Sequence, residues 1–326
     1  MPSAKPRKTS PSRDVRAPKP SRARTLPSLP RTRNPAVRDL FATVEKVVDR
    51  DVPILILGES GAGKDHLATI IHARSHRRDQ PFVHVECANI PAELFESELF
   101  GHEKGTFTGA FERKLGKLEI ARGGTVYFDE ISALTPQLQA KLLRAMQERR
   151  FTRLGGASSI PFDARVLSSS NVELQSLLDS GALRRDLFYR INVVTLALPP
   201  LRERPEDVLA LARQFLGRRK KGFTPEAERI LQNHPWPGNV RELRNAIERA
   251  VLVEDGERVD APSLGIQSPD ELVHVAARGS WTLEQLEAHY IREILRLTRS
   301  NLSRAAGILG INRKTLREKR RKYGLP

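Results

Sequence analysis

The 326-residue sequence contains one cysteine, Cys87. A single thiol cannot build a disulfide framework or a cysteine zinc site within one chain, and this usage fits a reducing cytoplasm. No stretch approaches the roughly 20 consecutive apolar residues that a membrane-spanning helix requires, so no membrane partner is expected. The N-terminus is basic but carries no apolar segment of the kind a secretory signal needs. No internal repeat is found. Acids are also in short supply: 39 Asp and Glu stand against 55 Lys and Arg, for a net charge of +16.

The distribution of that charge is more informative than its size. Residues 1–34 hold ten basic residues and one acid, and residues 279–326 hold eleven and four. The middle is left balanced. Two basic ends on a neutral body point to a polyanionic partner held at the ends. The length suits one domain of about 200–250 residues with small appendages.

Residues 1–34 are rich in Pro, Ser, Arg and Lys and poor in large apolar side chains. Such a segment cannot bury enough surface to offset chain entropy, so a disordered basic tail is expected there. From residue 35 the pattern changes. Val37, Leu40, Phe41, Val44, Val47 and Val48 fall at helical spacing, followed by the apolar run Val52–Leu57. Comparable short runs at Phe82–Val85, Thr125–Phe128 and Ala164–Leu167 alternate with helical patterns. This predicts an α/β three-layer domain over 35–203 with a parallel sheet. Residues 204–255 read as a small helical lid broken at Pro235–Gly238, residues 256–279 as a linker, and residues 280–326 as a basic all-α unit.

Gly58-Glu59-Ser60-Gly61-Ala62-Gly63-Lys64-Asp65 follows the first strand and fits a P-loop, except that Asp65 stands where a Ser or Thr hydroxyl usually meets Mg²⁺. Glycine-rich backbone can close around phosphate oxygens, Lys64 supplies charge, and the next helix presents its N-terminus to the anion. A plain glycine-rich turn would share the composition, but not the strand before it and the apolar helix face of Leu67, Ile70 and Ile71 after it. About 65 residues beyond Lys64, Thr125–Phe128 runs into Asp129 and Glu130, a Walker B pattern. Asp129 is the expected Mg²⁺ ligand, and Glu130 the group that polarises the attacking water. ATP and Mg²⁺ are the expected cofactors.

From about Asn34 to Asp255 the sequence closely resembles the central AAA+ domain of sigma-54-dependent, NtrC-type activators. The most specific stretch is Glu96–Ala110, whose Gly105-Thr106-Phe107-Thr108-Gly109-Ala110 is similar to the family's GAFTGA loop. The resemblance implies that Phe107 and Thr108 contact the sigma factor, and a glycine-bounded tip carrying one aromatic and one hydroxyl suits an exposed contact. It also implies that Asn171 senses the γ-phosphate, that Arg184 and Arg190 are fingers reaching a neighbouring subunit, and that Arg241 ties the lid to nucleotide. Four features depart from the family pattern. Thr106 replaces the usual Ala, Asp65 the usual Glu, and Glu86 an Asn thought to hold the catalytic Glu, while the segment between Leu216 and Phe223 is short. Two carboxylates at Glu86 and Glu130 would repel one another if both were ionised. No receiver or GAF domain precedes Asn34 in this sequence, so control is expected from expression level, a separate inhibitor or the basic tail.

Residues Asn301–Leu316 fit a helix-turn-helix, with Ser303 placed to cap the first helix, Gly310 at the turn and Asn312 capping the second. The unit resembles the Fis-type domain that ends most family members. By that resemblance Asn312, Arg313, Thr315, Arg317 and Lys319 are the residues that read a DNA major groove. Glu318 and Arg320 depart from the pattern; Arg320 interrupts the apolar face and is expected to fray the helix or to pack through its aliphatic stem. The preceding helix builds a dimer in that family.

The reading is therefore an ATP-hydrolysing activator that forms a ring, a hexamer by the logic of fingers offered in trans, with DNA and sigma-54 RNA polymerase as partners. The alternatives are a DNA-binding repressor that keeps the fold without acting on sigma-54, and another AAA+ machine such as a helicase or chelatase subunit.

Overall fold

The computed structural model describes residues 32–88, 91–171, 174–266, 281–298 and 301–325. The expected basic tail up to residue 31 and the stretch 267–280 lie outside the described residues. The chain divides into two compact units, one running to Glu59 and including Gly63–Leu198, the other joining Ser60–Ala62 to the chain from Pro199 onward.

The first unit runs α1 (Pro35–Val47), β1 (Ile54–Leu57), α2 (Lys64–Arg74), β2 (Phe82–Glu86), α3 (Ala92–Phe100), β3 (Gly101–His102), β4 (Lys114–Leu115), α4 (Lys117–Ile120) and β5 (Thr125–Asp129). It continues through α5 (Pro136–Glu148), β6 (Arg150–Phe151), β7 (Ile160–Pro161), β8 (Arg165–Ser170), α6 (Leu174–Asp179), α7 (Arg185–Ile191) and β9 (Val194–Ala197). Helix α1 starts where Asn34 Oδ1 accepts from the Val37 amide at 3.2 Å and Pro35 takes the first position. Its Val37, Leu40 and Val44 are buried. At its other end the buried guanidinium of Arg165 donates to the carbonyls of Val47 and Val48, satisfying groups that a helix C-terminus leaves open.

Five parallel strands form the main sheet in the order β2-β5-β8-β1-β9, with Val83 opposite Val126, Val126 opposite Val166, and Leu55 opposite Ser168. Both faces are covered, as an all-parallel sheet requires. One side is closed by a core of Leu55, Val85, Phe128, Leu142 and Leu187, among others. Strand β9 is absent from the sequence reading. It pairs with β1 (Leu55 opposite Thr195) at the sheet edge, and its Val194-Thr195-Leu196-Ala197 buries only Leu196 deeply, so no continuous apolar run marks it.

The lid comprises α8 (Pro205–Leu216), α9 (Pro225–Asn233) and α10 (Asn239–Val253) around Leu201, Val208, Ala212, Leu231, Trp236 and Ile247. Residues 256–266, placed in the linker on composition, instead belong to this core. Val259 and Leu264 are fully buried, and the Thr224 amide donates to the Val259 carbonyl at 2.9 Å. Two apolar side chains in a Gly/Pro/Asp-rich context were enough to dock the segment.

The C-terminal part holds α11 (Leu283–Leu297), α12 (Leu302–Ile308) and α13 (Arg313–Lys322) around Ile291, Leu295, Ala305, Ala306 and Leu316. Thr282 and Gln285 form a capping box on α11. Asn301, rather than Ser303, caps α12, accepting from the Ser303 and Arg304 amides. Gly310 takes the turn at φ 66°, and Asn312 caps α13 by accepting from the Thr315 amide at 2.8 Å. The fraying expected at Arg320 is not seen. Helix α13 continues to Lys322, Arg320 Nε donates to the Leu325 carbonyl, and the Leu325 side chain is buried.

Among the described residues, no helix is long and apolar enough to cross a membrane.

Candidate functional site

Strands β1, β5 and β8 end side by side, which gathers the polar residues at their C-terminal ends into one place. Gly63 caps α2 with no side-chain bond, leaving the start of that helix open to an anion. Lys64 is buried; its Nζ donates to the Gly58 and Glu59 carbonyls and lies 3.2 Å from Glu130 Oε1. The backbone of Glu130 is left-handed, at φ 55° and ψ 57°. Ser169 Oγ fixes the region twice, accepting from the Glu130 amide at 3.0 Å and donating to Asp129 Oδ1 at 2.6 Å. Asn171 meets this cluster through its backbone, whose amide donates to Glu130 Oε2 at 3.1 Å.

The Tyr127 hydroxyl lies 2.9 Å from Asp65 Oδ1 and 3.2 Å from Asp129 Oδ1. Burial pushes the Tyr127 phenol far above its ordinary range, so the hydroxyl keeps its proton and donates. Glu86 is exposed at the end of β2, in register with Asp129.

Within the second unit, three residues hold Ser60–Ala62. Arg204 Nη2 donates to the Ala62 carbonyl at 2.7 Å, Asn239 Nδ2 to the Ser60 carbonyl at 3.1 Å, and Arg241 Nη1 to Ser60 Oγ at 3.1 Å. Gly61 permits this approach: its φ is 75°, and a Cβ there would fall 2.4 Å from the Gly238 carbonyl oxygen. The family resemblance ties Arg241 to nucleotide, and the structure adds Arg204 and Asn239 beside it on Ser60–Ala62. Asn239 has positive φ and also accepts from the Leu201 amide at 2.7 Å. An Asn after Trp-Pro-Gly was the available signal.

The Phe107–Thr108 loop rises from the β3–β4 ladder. The Gly105 amide donates to the Ala110 carbonyl at 2.8 Å, and Phe107 and Thr108 are exposed at the tip. The Phe107 ring leans on His102, with centroids 4.9 Å apart. Thr106 is turned inward; its hydroxyl lies 2.6 Å from the Glu103 carbonyl and 3.1 Å from that of Leu154 on the β6–β7 connection, sharing one proton. Buried Arg153 braces the same base through ion pairs with Glu103 and Glu119, each at 2.7 Å.

Arg184 caps α7 and Arg190 lies in its last turn, both exposed. Arg184 forms a two-pronged pair with Asp186 at 3.0 and 2.7 Å, and Arg190 Nη2 donates to the Met146 carbonyl at 3.1 Å. On α13, Arg313 and Arg317 are exposed, whereas Asn312 and Thr315 bond one another as cap and first turn. Lys319 is engaged with α11 instead of standing free, its Nζ lying 2.5 Å from Glu287 Oε1.

A glycine-rich loop between β1 and α2, paired carboxylates ending β5 and a serine-bearing β8, on a sheet ordered β2-β5-β8-β1-β9 with a helical lid, define a P-loop NTPase of the AAA+ class. Comparison with known proteins narrows the class. A profile described as the Sigma-54 interaction domain matches residues 31–197, one described as an AAA+ ATPase lid domain matches 202–271, and one described as Bacterial regulatory protein, Fis family, matches 282–323. The transcriptional regulatory protein FlbD of Caulobacter vibrioides is 42% identical over 315 residues, covering 89% of this chain and 69% of its own. The alginate biosynthesis transcriptional regulatory protein AlgB of Pseudomonas aeruginosa is 44% identical over 300 residues, covering 90% and 67%. Among solved structures, NtrX from Brucella abortus in complex with ATP superposes with a TM-score of 0.67 at 33% identity, covering 93% of this chain and 71% of its own. Thermotoga maritima RuvB, at 16% identity and a TM-score of 0.53, shares the fold alone. The chain belongs to the sigma-54-dependent transcriptional regulators, with an AAA+ domain and a Fis-type DNA-binding helix-turn-helix. It spans about two thirds of the length of these curated relatives.

Proposed function

We propose that this regulator hydrolyses ATP at the junctions of a ring, a hexamer, and uses the cycle to drive the Phe107–Thr108 tip against sigma-54 and open promoters, while α13 holds upstream DNA. The observation that best supports this is the pairing of two features in one α/β unit: Lys64, Asp129 and Glu130 gathered at the ends of β1 and β5, and an exposed aromatic–hydroxyl tip on a braced base. The NtrX complex with ATP supports nucleotide as the ligand.

In this reading, Gly58–Gly63 and the start of α2 cradle the phosphates, with Asp65 on the first helical turn. Lys64 neutralises them, and Arg241 orients the lid residues around Ser60. Asp129, an oxygen donor steadied by Ser169 and Tyr127, fits a hard cation, and Mg²⁺ bound there would screen phosphate charge. Glu130 is the base that orients water, Asn171 reports the phosphate state, and Arg184 and Arg190 act on the neighbouring subunit's nucleotide. The division into α/β domain (35–203), lid, linker and DNA-binding end belongs to the same proposal, with the linker now beginning after residue 266. Exposed Leu283, Tyr290 and Leu297 on α11 support a dimer of the C-terminal domain. Arg313 and Arg317 are the leading groove contacts, with Asn312 and Thr315 at the helix start, and Lys319 once released from Glu287. The intact tip gives no support to a repressor indifferent to sigma-54.

In vitro transcription tests this with sigma-54 polymerase on a promoter bearing the upstream site. Open complexes are expected with ATP and not with a non-hydrolysable analogue. Thr108→Ala is expected to keep ATPase activity and lose opening; opening without hydrolysis, or opening by Thr108→Ala, would overturn the proposal.

A further inference from the structure

Three side chains from three separate elements converge at the start of α2 and along β2 and β5. Asp65 on α2, His84 on β2 and Asp129 on β5 each bring one potential ligand atom to within 4.8 Å of the other two. The register of β2 on β5 sets His84 opposite Tyr127, and their rings lie 5.1 Å apart. The Tyr127 hydroxyl reaches both carboxylates, and Ser169 also bonds Asp129, so the acids have outer-shell partners of the kind that orient metal ligands. A second observation concerns His84 itself: its Nε2 is shut off from solvent and, among the described residues, has no hydrogen-bond partner. A buried ring nitrogen in that state is costly unless something binds the imidazole.

We propose that Asp65, His84 and Asp129 form a binding site for a divalent transition-metal ion of the zinc or cobalt(II) type. The imidazole sets this apart from an Mg²⁺ site. Magnesium takes oxygen donors, whereas one histidine with two carboxylates is a borderline set that suits zinc, cobalt and iron. Metal–ligand bonds near 2 Å place neighbouring donors roughly 3 Å apart. Asp65 is exposed and its carboxylate is bonded to the Tyr127 hydroxyl, so a rotamer change about that bond supplies the closing movement. Occupancy would engage Asp129. Where the proposed ATPase function holds, the ion would therefore compete with nucleotide-bound Mg²⁺; binding itself does not depend on that function.

The test is a Co²⁺ titration of the full-length, nucleotide-free protein in non-chelating buffer, followed by the visible absorption of the bound ion. Wild type is expected to bind one Co²⁺ with histidine-type absorption, displaced by Zn²⁺ and not by Mg²⁺ at similar concentration. His84→Ala and Asp65→Asn should each weaken binding at least about tenfold, the loss that removing even an outer-shell partner of a metal ligand brings. Asp65 is exposed, so Asp65→Asn remains informative if His84→Ala folds poorly. Unchanged Co²⁺ affinity in a folded variant, absence of Co²⁺ absorption in wild type, or displacement by Mg²⁺ as readily as by Zn²⁺ would overturn the proposal.

Discussion

Lys64 Nζ lies 3.2 Å from Glu130 Oε1, so the P-loop lysine and the carboxylate that ends the Walker B segment occupy one another. Incoming phosphate has to draw Lys64 away from Glu130. Glu130→Gln removes the charge that holds it. That variant should bind ATP about twofold to tenfold more tightly, because the pair lost is worth on the order of 1 kcal/mol. It should also hydrolyse ATP at least about a hundredfold more slowly. A fluorescent-nucleotide titration and a phosphate-release assay check the two halves; weaker binding would show that Glu130 does not compete for Lys64.

Arg190 and Arg184 are exposed at opposite ends of α7. If they serve a neighbour's nucleotide, Arg190→Ala should leave ATP binding intact and reduce hydrolysis by about a thousandfold. Mixing Arg190→Ala with Glu130→Gln protein should restore part of the activity, since rings then contain intact junctions. Steady-state assays on the mixtures decide this, and no restoration at any ratio would place the arginine's role within its own subunit.

Thr106 bonds the base of the Phe107–Thr108 loop to the Leu154 carbonyl. Thr106→Ala should cost no more than about 1.5 kcal/mol. It should also speed amide hydrogen exchange across Gly105–Ala110 relative to the rest of the domain. Exchange read by mass spectrometry on wild type and variant gives the answer; equal protection would mean that the turn bond from Gly105 to Ala110 suffices.

The two classes of basic residue on α13 should separate experimentally. Arg317→Ala should weaken DNA binding and lower the salt dependence of the affinity by roughly one counterion. Lys319→Ala should lower the thermal stability of the C-terminal domain, because Lys319 and Tyr323 both grip Glu287. Those partners, Lys319 first, hold the Glu287 carboxyl below its ordinary value. Their contribution is therefore present above the unfolded carboxyl pKa and is lost as pH falls through the lower folded one. DNA titrations at several salt concentrations and melting curves distinguish the two residues.

Mild acid should act through histidine. Burial holds His72 in the α/β unit and His234 in the lid below the usual imidazole value. The unfolded chain then takes up protons before the folded one does. Stability from this source is complete above about pH 6.5 and declines as pH falls toward the lowered folded values. The melting temperature should drop across that window, and His72→Gln should flatten the slope. A flat profile in wild type would contradict the burial.

Legibility from sequence followed the range of the interactions. The P-loop, Asp129–Glu130 and the Phe107–Thr108 tip are contiguous segments whose chemistry is written in adjacent residues. Strand β9 escaped because an edge strand with one deeply buried residue has no apolar run, and residues 256–266 because two anchors, Val259 and Leu264, sit in turn-forming company. Long-range partners were hidden for another reason. Arg204 on Ala62, Asn239 on Ser60 and Glu287 on Lys319 are each set by tertiary geometry that no local spacing encodes. The same holds for His84, an ordinary strand residue until β5 and α2 bring Asp129 and Asp65 beside it.

The left-handed backbone at Glu130 has a consequence for how this position can change. A side-chain-bearing residue pays about 1 kcal/mol or more to adopt it, whereas glycine or asparagine adopts it with little penalty. Selection for heat resistance alone would therefore push residue 130 away from the acid. If Glu130 serves hydrolysis as proposed, an acidic residue persisting there against that drift is a simple marker, readable from sequence, of lineages in which turnover is still under selection.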